Sequence, residues 1–151
     1  MIISLVSIDQ IVKFSVVKNI YYSSITIIEG VLNLTYTENT GGAFGIGSNS
    51  TIMFVVVNII LITLITKVIL TKKNEISNYI LIGLGLILAG GIGNLIDRIF
   101  RGFVVDYVDF NPLIKYPVFN IADICVVLGC IIVGIGEINE RIQNKRRTTK
   151  Y

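Results

Sequence analysis

Residues 79 to 92 contain no charged side chain, and apolar runs of this kind recur along the chain. Charged residues make up only 15% of the sequence, whereas an average soluble protein has about 25%. A soluble domain of 151 residues has a large surface for its volume, so it could not bury this many apolar side chains. The mean hydropathy of +0.77 therefore predicts a single domain embedded in a membrane.

Four apolar segments approach the length of about 20 residues that a helix needs to cross a bilayer. The first is the least apolar, because Asp9, Gln10 and Lys13 interrupt it. We predict a membrane α-helical fold with four transmembrane helices, at about residues 2–17, 51–70, 79–96 and 118–138.

The positive charges predict the orientation of these helices. Three lysines lie in or beside the connection between the second and third segments, and five cations lie in the tail after the fourth. Short segments rich in lysine and arginine stay in the cytoplasm. We therefore expect both termini in the cytoplasm and the connections 18–50 and 97–117 outside. Nucleic acid is not an expected partner, because no platform of basic and aromatic residues accompanies the cations.

The first outer connection contains a pattern typical of a β-strand. Leu32, Leu34 and Tyr36 alternate with polar residues, and a period of two indicates a strand with one apolar face. A glycine-rich turn follows at residues 38–45. We expect a small extracytoplasmic β-sheet between the first two helices, at about residues 25–47, on the outer membrane surface.

The third segment carries small residues at helical spacing. Gly85, Ala89 and Gly93 are four apart, which lets two helices approach closely in lipid. Asn94 and the dipeptide Asp97-Arg98 continue along a neighbouring stripe. We expect these polar groups to point into the bundle at its outer end, with Asp97 and Arg98 as a structural ion pair.

Two further aspartates are the candidates for chemistry. Asp106 follows the third segment and Asp123 begins the fourth, so both should lie at the same depth of the outer leaflet. Asn120 is three residues before Asp123 and is expected on the same helix face. Asp109 is expected to be solvated, as aspartates of outer loops usually are.

A close pair of carboxylates can share one proton. The ionised member takes a proton from water, while the neutral member polarises a carbonyl or protonates a leaving amine. Such a pair titrates as a unit, so the acid and the base are not assigned individually. The chain has no histidine, which removes the usual general base and most zinc sites. We expect no metal and no cofactor.

A small transporter or channel subunit is the main alternative, with Asp9, Lys13, Asp97 and Asp123 lining a polar path. However, the polar groups gather at one end of the bundle, and no internal repeat is evident. Asp9 and Lys13 are four apart and can instead pair on one helix face. A structural membrane scaffold is a third alternative, and it would leave the carboxylates without a role.

Five short motifs occur in a particular order along the chain. They read Asp9-Gln10-Ile11-Val12-Lys13, Asn39-Thr40-Gly41-Gly42-Ala43-Phe44, Gly90-Gly91-Ile92-Gly93-Asn94-Leu95-Ile96-Asp97-Arg98, Gly102-Phe103-Val104-Val105-Asp106 and Phe119-Asn120-Ile121-Ala122-Asp123. In these motifs the chain resembles the lipoprotein signal peptidases, the type II signal peptidases of bacteria. The resemblance extends from Asp9 into the fourth apolar segment.

The resemblance implies an intramembrane aspartic endopeptidase of the bacterial plasma membrane. Its substrate would be a diacylglyceryl-modified prolipoprotein, cut just before the lipidated cysteine by carboxylate-activated water near the outer face. The family's catalytic aspartates fall on Asp106 and Asp123. Its supporting polar residues fall on Asp9, Lys13, Asn39, Asn94, Arg98 and Asn120. Membrane lipids are the other expected partners, and we expect a monomer.

Overall fold

The computed structural model describes residues 1–42 and 50–148. Within these residues, each predicted apolar segment forms a helix, and three strands lie in the connections 18–50 and 97–117. The elements follow in the order α1 (Ile2–Ile20), β1 (Ser24–Ile28), β2 (Leu32–Asn39), α2 (Thr51–Lys72), α3 (Asn78–Arg101), β3 (Val104–Asp109) and α4 (Ile121–Thr148).

Three of these helices are long and apolar enough to cross a membrane. Among the described residues these candidate spans are Thr51–Lys72, Asn78–Arg101 and Ile121–Gln143. The prediction of four spans is thus supported for three helices. Helix α1 is not among them, because its charged residues lower its hydropathy. Every residue of α2, all of which the structure describes, is at least partly exposed. Lipid would cover this apolar surface without leaving backbone groups unsatisfied, since a helix bonds them internally.

The third helix is longer than predicted, and its last turns contain charged residues that lay beyond the predicted end. It runs to Arg101 rather than ending near residue 96, so Asp97 and Arg98 are helical. The helix ends at Gly102, whose φ of 82° is left-handed and whose N–H donates to the Arg98 carbonyl. The polar side chains at the end of α3 have partners within the protein, so the helix does not end where they begin.

The fourth helix begins later than predicted, at Ile121 rather than residue 118, and continues to Thr148. Asn120 precedes it: the Asn120 Oδ1 accepts from the Asp123 N–H at 2.9 Å, and Asp123 Oδ2 accepts from the Asn120 N–H at 3.2 Å. This reciprocal pair is a capping box. Asn120 and Asp123 therefore meet across the helix start, and not as two residues of one helix face.

The three strands form one antiparallel sheet with β2 in the centre. The pairing of β2 with β3 places Thr37 opposite Asp106, and Asn39 opposite Val104. The prediction of a sheet between the first two helices was therefore incomplete, since β3 comes from the connection after α3. This strand was missed because it is buried on both faces and shows no alternation. Residues 43–47 of the predicted β region lie outside the described residues.

The sheet packs on the end of α1. Val16 and Ile20 of α1 form a buried cluster with Tyr36 of β2 and with Val105 and Tyr107 of β3. This packing fixes β3 against the helices and thereby positions Asp106, which lies between Val105 and Tyr107.

Small residues of α3 allow α1 and α4 to approach closely. Gly85, Ala89 and Gly93 are all buried, as predicted. At Gly90, an added Cβ would collide with the Ala122 carbonyl oxygen and would lie 2.7 Å from Val126 Cγ2. The start of α4, which carries Asp123, is therefore held against α3 by the absence of a side chain at this position.

The substitution Gly90→Ala is expected to destabilise the protein by about 1–3 kcal/mol, because the Ala122 backbone cannot yield without moving α4. Thermal unfolding in detergent measures this as a lower Tm. Gly134→Ala is the matched control, since a Cβ there would meet nothing within 4 Å. It should leave stability unchanged or raise it by up to about 1 kcal/mol through helix propensity. Equal Tm values for the two variants would contradict this account.

Candidate active site

Asp106 of β3 and Asp123 of α4 line the same cavity, which has a volume of about 590 Å³. Asn39, Asn94 and Arg98 also line it. The other predicted site residues, Asp9, Lys13 and Asn120, are buried. Lys13 and Asn120 bond to residues of this wall, and Asp9 pairs with Lys13. The structure thus brings all eight predicted positions into one connected region, with five of them at the cavity.

Asn120 joins the two carboxylates. Its side-chain nitrogen donates to Asp106 Oδ1 at 2.6 Å, while its side-chain oxygen accepts from the Asp123 N–H at 2.9 Å. Its own backbone N–H donates to Asp123 Oδ2 at 3.2 Å. Asn120 is fully buried, so these contacts hold the two acidic side chains in a fixed relation.

Each carboxylate has a second partner on its other oxygen. Asn39 Nδ2 donates to Asp106 Oδ2 at 2.9 Å, and Asn94 Nδ2 donates to Asp123 Oδ1 at 2.8 Å. Asn39 is the last residue of β2 rather than part of a loop, and its Oδ1 accepts from the Gly41 N–H at 3.0 Å. It therefore caps the turn and holds Asp106 at the same time.

Burial raises the pKa of Asp106 to about 7, and the negative charge of Asp123 raises it as well. Hydrogen bonds from Asn39 and Asn120 and the charge of Lys13 act in the opposite direction. The Asp106 carboxyl therefore exchanges its proton near neutral pH, which is the property that a general acid needs.

The signal peptidase II family model matches residues 1–138. The chain belongs to the signal peptidase II family. It is therefore a protease and, with its apolar helices, a multi-pass protein of a bacterial membrane.

Relatives named lipoprotein signal peptidase support this membership. The chain is 42% identical over 135 residues to the one from Clostridioides difficile, covering 89% of each protein. It is 42% identical to that of Caldanaerobacter subterraneus subsp. tengcongensis, covering 85% of this chain and 87% of the relative. It is 40% identical to that of Halothermothrix orenii, covering 87% and 88%.

Two solved structures of bacterial membrane enzymes, determined by the in meso method, have the same fold. The first, at 2.3 Å resolution, gives a TM-score of 0.83 at 29% identity, covering 93% of this chain and 86% of the other. The second, at 1.9 Å resolution, gives 0.78 at 30% identity, covering 89% and 87%. The fold of this signal peptidase II is thus similar to enzymes solved experimentally.

A buried ionic cluster lies behind the cavity of this signal peptidase II. Lys13 Nζ lies 3.0 Å from Asp9 Oδ2 and 3.0 Å from Asp97 Oδ2. The predicted pair of Asp9 and Lys13 is confirmed, but the predicted pair of Asp97 and Arg98 is wrong. Within the described residues, Asp97 pairs with Lys13 and with Arg101, because residues four apart share a helix face whereas adjacent residues do not.

Arg98 instead holds the turn that follows β2. Its guanidinium donates to the Gly41 carbonyl at 2.8 Å and lies 5.3 Å from the centre of the Phe54 ring. It also contacts the Asn94 carbonyl at 3.5 Å. Arg98 thereby connects α3, the turn and α2 at the rim of the cavity.

The prediction that Asp109 is solvated is wrong. Asp109 is buried and accepts hydrogen bonds from the Thr35 hydroxyl and from both nitrogens of Asn111. The connection folds back on itself after β3, so this carboxylate holds the sheet edge. It lies outside the wall of the cavity.

Sequence reasoning missed the contribution of α2 to the cavity. Phe54, Val57, Asn58 and Leu61 line it, and Asn58 Nδ2 donates to the Gly91 carbonyl at 3.0 Å. An asparagine within an apolar segment was the available signal, since such a residue in lipid needs a polar partner. Tyr107 was also missed: its hydroxyl accepts from the Ile121 N–H at 3.3 Å.

Proposed function

We propose that this chain is an intramembrane aspartic endopeptidase that removes the signal peptide from diacylglyceryl-modified prolipoproteins. The cut falls just before the lipidated cysteine. The names of the relatives support this substrate class. The observation that carries the catalytic assignment is Asn120, which holds Asp106 and Asp123 together at the wall of one cavity.

In the proposed reaction the two carboxylates share one proton. The ionised member takes a proton from water, and the water oxygen bonds to the carbonyl carbon that precedes the cysteine. The neutral member polarises that carbonyl. When the C–N bond breaks, the carboxyl that took the proton from water gives it to the cysteine nitrogen, so the pair again shares one proton. Asp106, whose pKa is raised to about 7, suits the neutral role. Asp123, in the first turn of α4, suits the ionised role because the helix dipole favours a negative charge there.

We propose that α1 also crosses the membrane, which gives four crossings. Its 19 residues span about 28 Å at about 1.5 Å per residue, close to the hydrocarbon thickness of about 30 Å. Its charged Asp9 and Lys13 are buried against α3 and α4, while Ile3, Ile11 and Phe14 are exposed. This arrangement supports α1 as a span, because the ionic side chains are paired away from lipid.

Four crossings place both termini in the cytoplasm and the active site near the outer face. The lysines around the connection from α2 to α3 and the basic tail support this orientation. The three-stranded sheet is then extracytoplasmic. Asp106, on this sheet, and Asp123, at the first turn of α4, would lie where the membrane meets the outside.

The shape of the cavity supports a lipidated substrate. Its polar wall holds the two aspartates, while Val57 and Leu61 of α2 and Val126 and Val127 of α4 line its apolar wall. A prolipoprotein could keep its acyl chains among apolar side chains while the peptide bond reaches the carboxylates. The lipid then remains out of water throughout the reaction.

The test compares two synthetic prolipoprotein peptides that differ only in the diacylglyceryl group on the cysteine. The purified protein in detergent should cut the lipidated peptide just before the cysteine, as identified by mass spectrometry. The unlipidated peptide should be cut with a kcat/KM at least about 100-fold lower, since each buried CH₂ contributes about 0.8 kcal/mol.

A preparation of the Asp106→Asn variant controls for contaminating proteases. Equal cleavage of both peptides would contradict recognition of the lipid. Adding a chelator should leave the rate unchanged, and a loss of activity would show that a metal ion takes part. Light scattering in detergent tests the expectation of a monomer.

A further inference from the structure

Lys13 is fully buried in the ionic cluster behind the cavity. Its Nζ lies 3.0 Å from Asp9 Oδ2, 3.0 Å from Asp97 Oδ2 and 2.9 Å from Asn94 Oδ1. An ammonium group has three N–H donors and no acceptor, so these three contacts use its full capacity. Two of the partners are counter-ions, but the third is a neutral carboxamide.

The contact with Lys13 fixes which way the Asn94 carboxamide points. Because an ammonium cannot accept a hydrogen bond, it must face the amide oxygen. The amide nitrogen then faces Asp123 Oδ1, to which it donates at 2.8 Å. A flipped amide would set donor against donor at Lys13 and acceptor against acceptor at Asp123, which is costly in a buried site.

The same oxygen orients the second carboxamide. Asn94 Oδ1 also accepts from Asn120 Nδ2 at 3.2 Å, and that nitrogen donates to Asp106 Oδ1 at 2.6 Å. The same nitrogen also donates to the Val105 carbonyl at 3.4 Å, and with the nitrogen on this side the Asn120 oxygen faces the Asp123 N–H. A chain of hydrogen bonds, each donated in the same direction, therefore leads from the one ammonium through the two carboxamides to both carboxylates.

We propose that Lys13 is a positioning residue of the active site, whose ammonium orients Asn94 and Asn120 and through them Asp106 and Asp123. The inference rests on the proposed function, in which these two aspartates are catalytic. Simple charge balance is the competing explanation for Lys13. However, Asp97 also contacts Arg101 and the Val105 N–H, and Asp9 also accepts from the Ala122 N–H. At Asn94 Oδ1 the contact from Lys13, at 2.9 Å, is shorter than the one from Asn120, at 3.2 Å, and it is the charged one.

A double-mutant cycle on the full chain tests this inference. Lys13→Met should lower kcat about 100-fold, the size of effect that a small displacement of catalytic groups produces, and KM should stay within about threefold. Asn94→Ala should lower kcat by a similar factor. The double variant should be no slower than Asn94→Ala alone, because the effect of Lys13 passes through Asn94. Effects that multiply would overturn the proposal.

A second variant separates positioning from folding. Lys13→Met leaves Asp9 without its ammonium, so the variant Lys13→Met with Asp9→Asn restores the balance of buried charge. We expect it to regain thermal stability relative to Lys13→Met but to keep the low kcat. Recovery of kcat together with stability would show that Lys13 only balances charge, and would overturn the proposal.

Failure of this inference can be told apart from failure of the proposed function. If Asp106→Asn and Asp123→Asn both keep normal turnover, the catalytic assignment is lost and Lys13 has nothing to position. If both are inactive while the cycle shows multiplying effects, the assignment stands and only the role of Lys13 is lost.

Discussion

Replacing either Asp106 or Asp123 with Asn is expected to slow cleavage of a diacylated prolipoprotein by at least about 1,000-fold. An Asn side chain has nearly the same size, and its oxygen can still accept a hydrogen bond, as Asp106 does from Asn120. It cannot take a proton from water or share one with its neighbour. Initial rates in detergent, followed by the mass of the released signal peptide, measure the loss.

The matched control is Asp109→Asn, which makes the same chemical change in the same strand. Asp109 is also buried, but its partners are Thr35 and Asn111 and it lies outside the cavity wall. This variant should keep its rate within a few-fold. The double variant Asp106→Asn with Asp123→Asn should be no slower than either single variant, because residues that act as a unit are not additive. Near-normal turnover in either single variant would rule out the pair.

The positions of the helices could be predicted because lipid imposes a simple requirement on composition. Each predicted segment became a helix, but the ends were set by partners that composition does not reveal. Helix α3 continues through Asp97 and Arg98 because both side chains have partners. Asp97 pairs with Lys13 and Arg101, and Arg98 donates to the Gly41 carbonyl. These partners lie on other elements or on the next helical turn.

The site residues were expected together from the motifs, whereas their arrangement depends on backbone geometry. Asn120 bridges the two carboxylates because it stands just before α4 and its side chain turns back to the helix start. The start of α4 could not be read from the apolar run 118–138, in which Val118 and Phe119 look helical. Phe119 instead pairs with Val108 of β3.

The wall formed by α2 shows a different limit of sequence reasoning. Each of its lining side chains but Asn58 is apolar, and an apolar residue in a membrane helix does not reveal whether it faces lipid or a cavity. Only the packing of α2 on α3 distinguishes the two faces. The pattern of charges gave no help, because α2 carries none before Lys67.

The second large effect concerns pH: kcat/KM is expected to fall about tenfold for each pH unit above about 7. The pKa of Asp106 is raised to about 7 by burial and by the charge of Asp123. Below that pH the carboxyl keeps its proton and, in the proposed mechanism, can polarise the substrate carbonyl. Above it the proton is lost, so the fraction of enzyme with a usable acid decreases as the pH rises. A profile of kcat/KM from pH 5 to 9 with one lipidated peptide measures this decrease, the alkaline limb of the profile.

The variant Asn39→Ala tests most directly whether Asp106 is the group that titrates. The Asn39 hydrogen bond stabilises the charged form of Asp106 and therefore lowers its pKa. Without that bond the carboxyl should hold its proton to higher pH, and the alkaline limb should move upward even though the maximal rate falls. Asp109→Asn should leave the limb where it is, because Asp109 does not contact the pair. A limb that stays fixed or moves downward in Asn39→Ala would show that the group titrating near neutral pH is not Asp106.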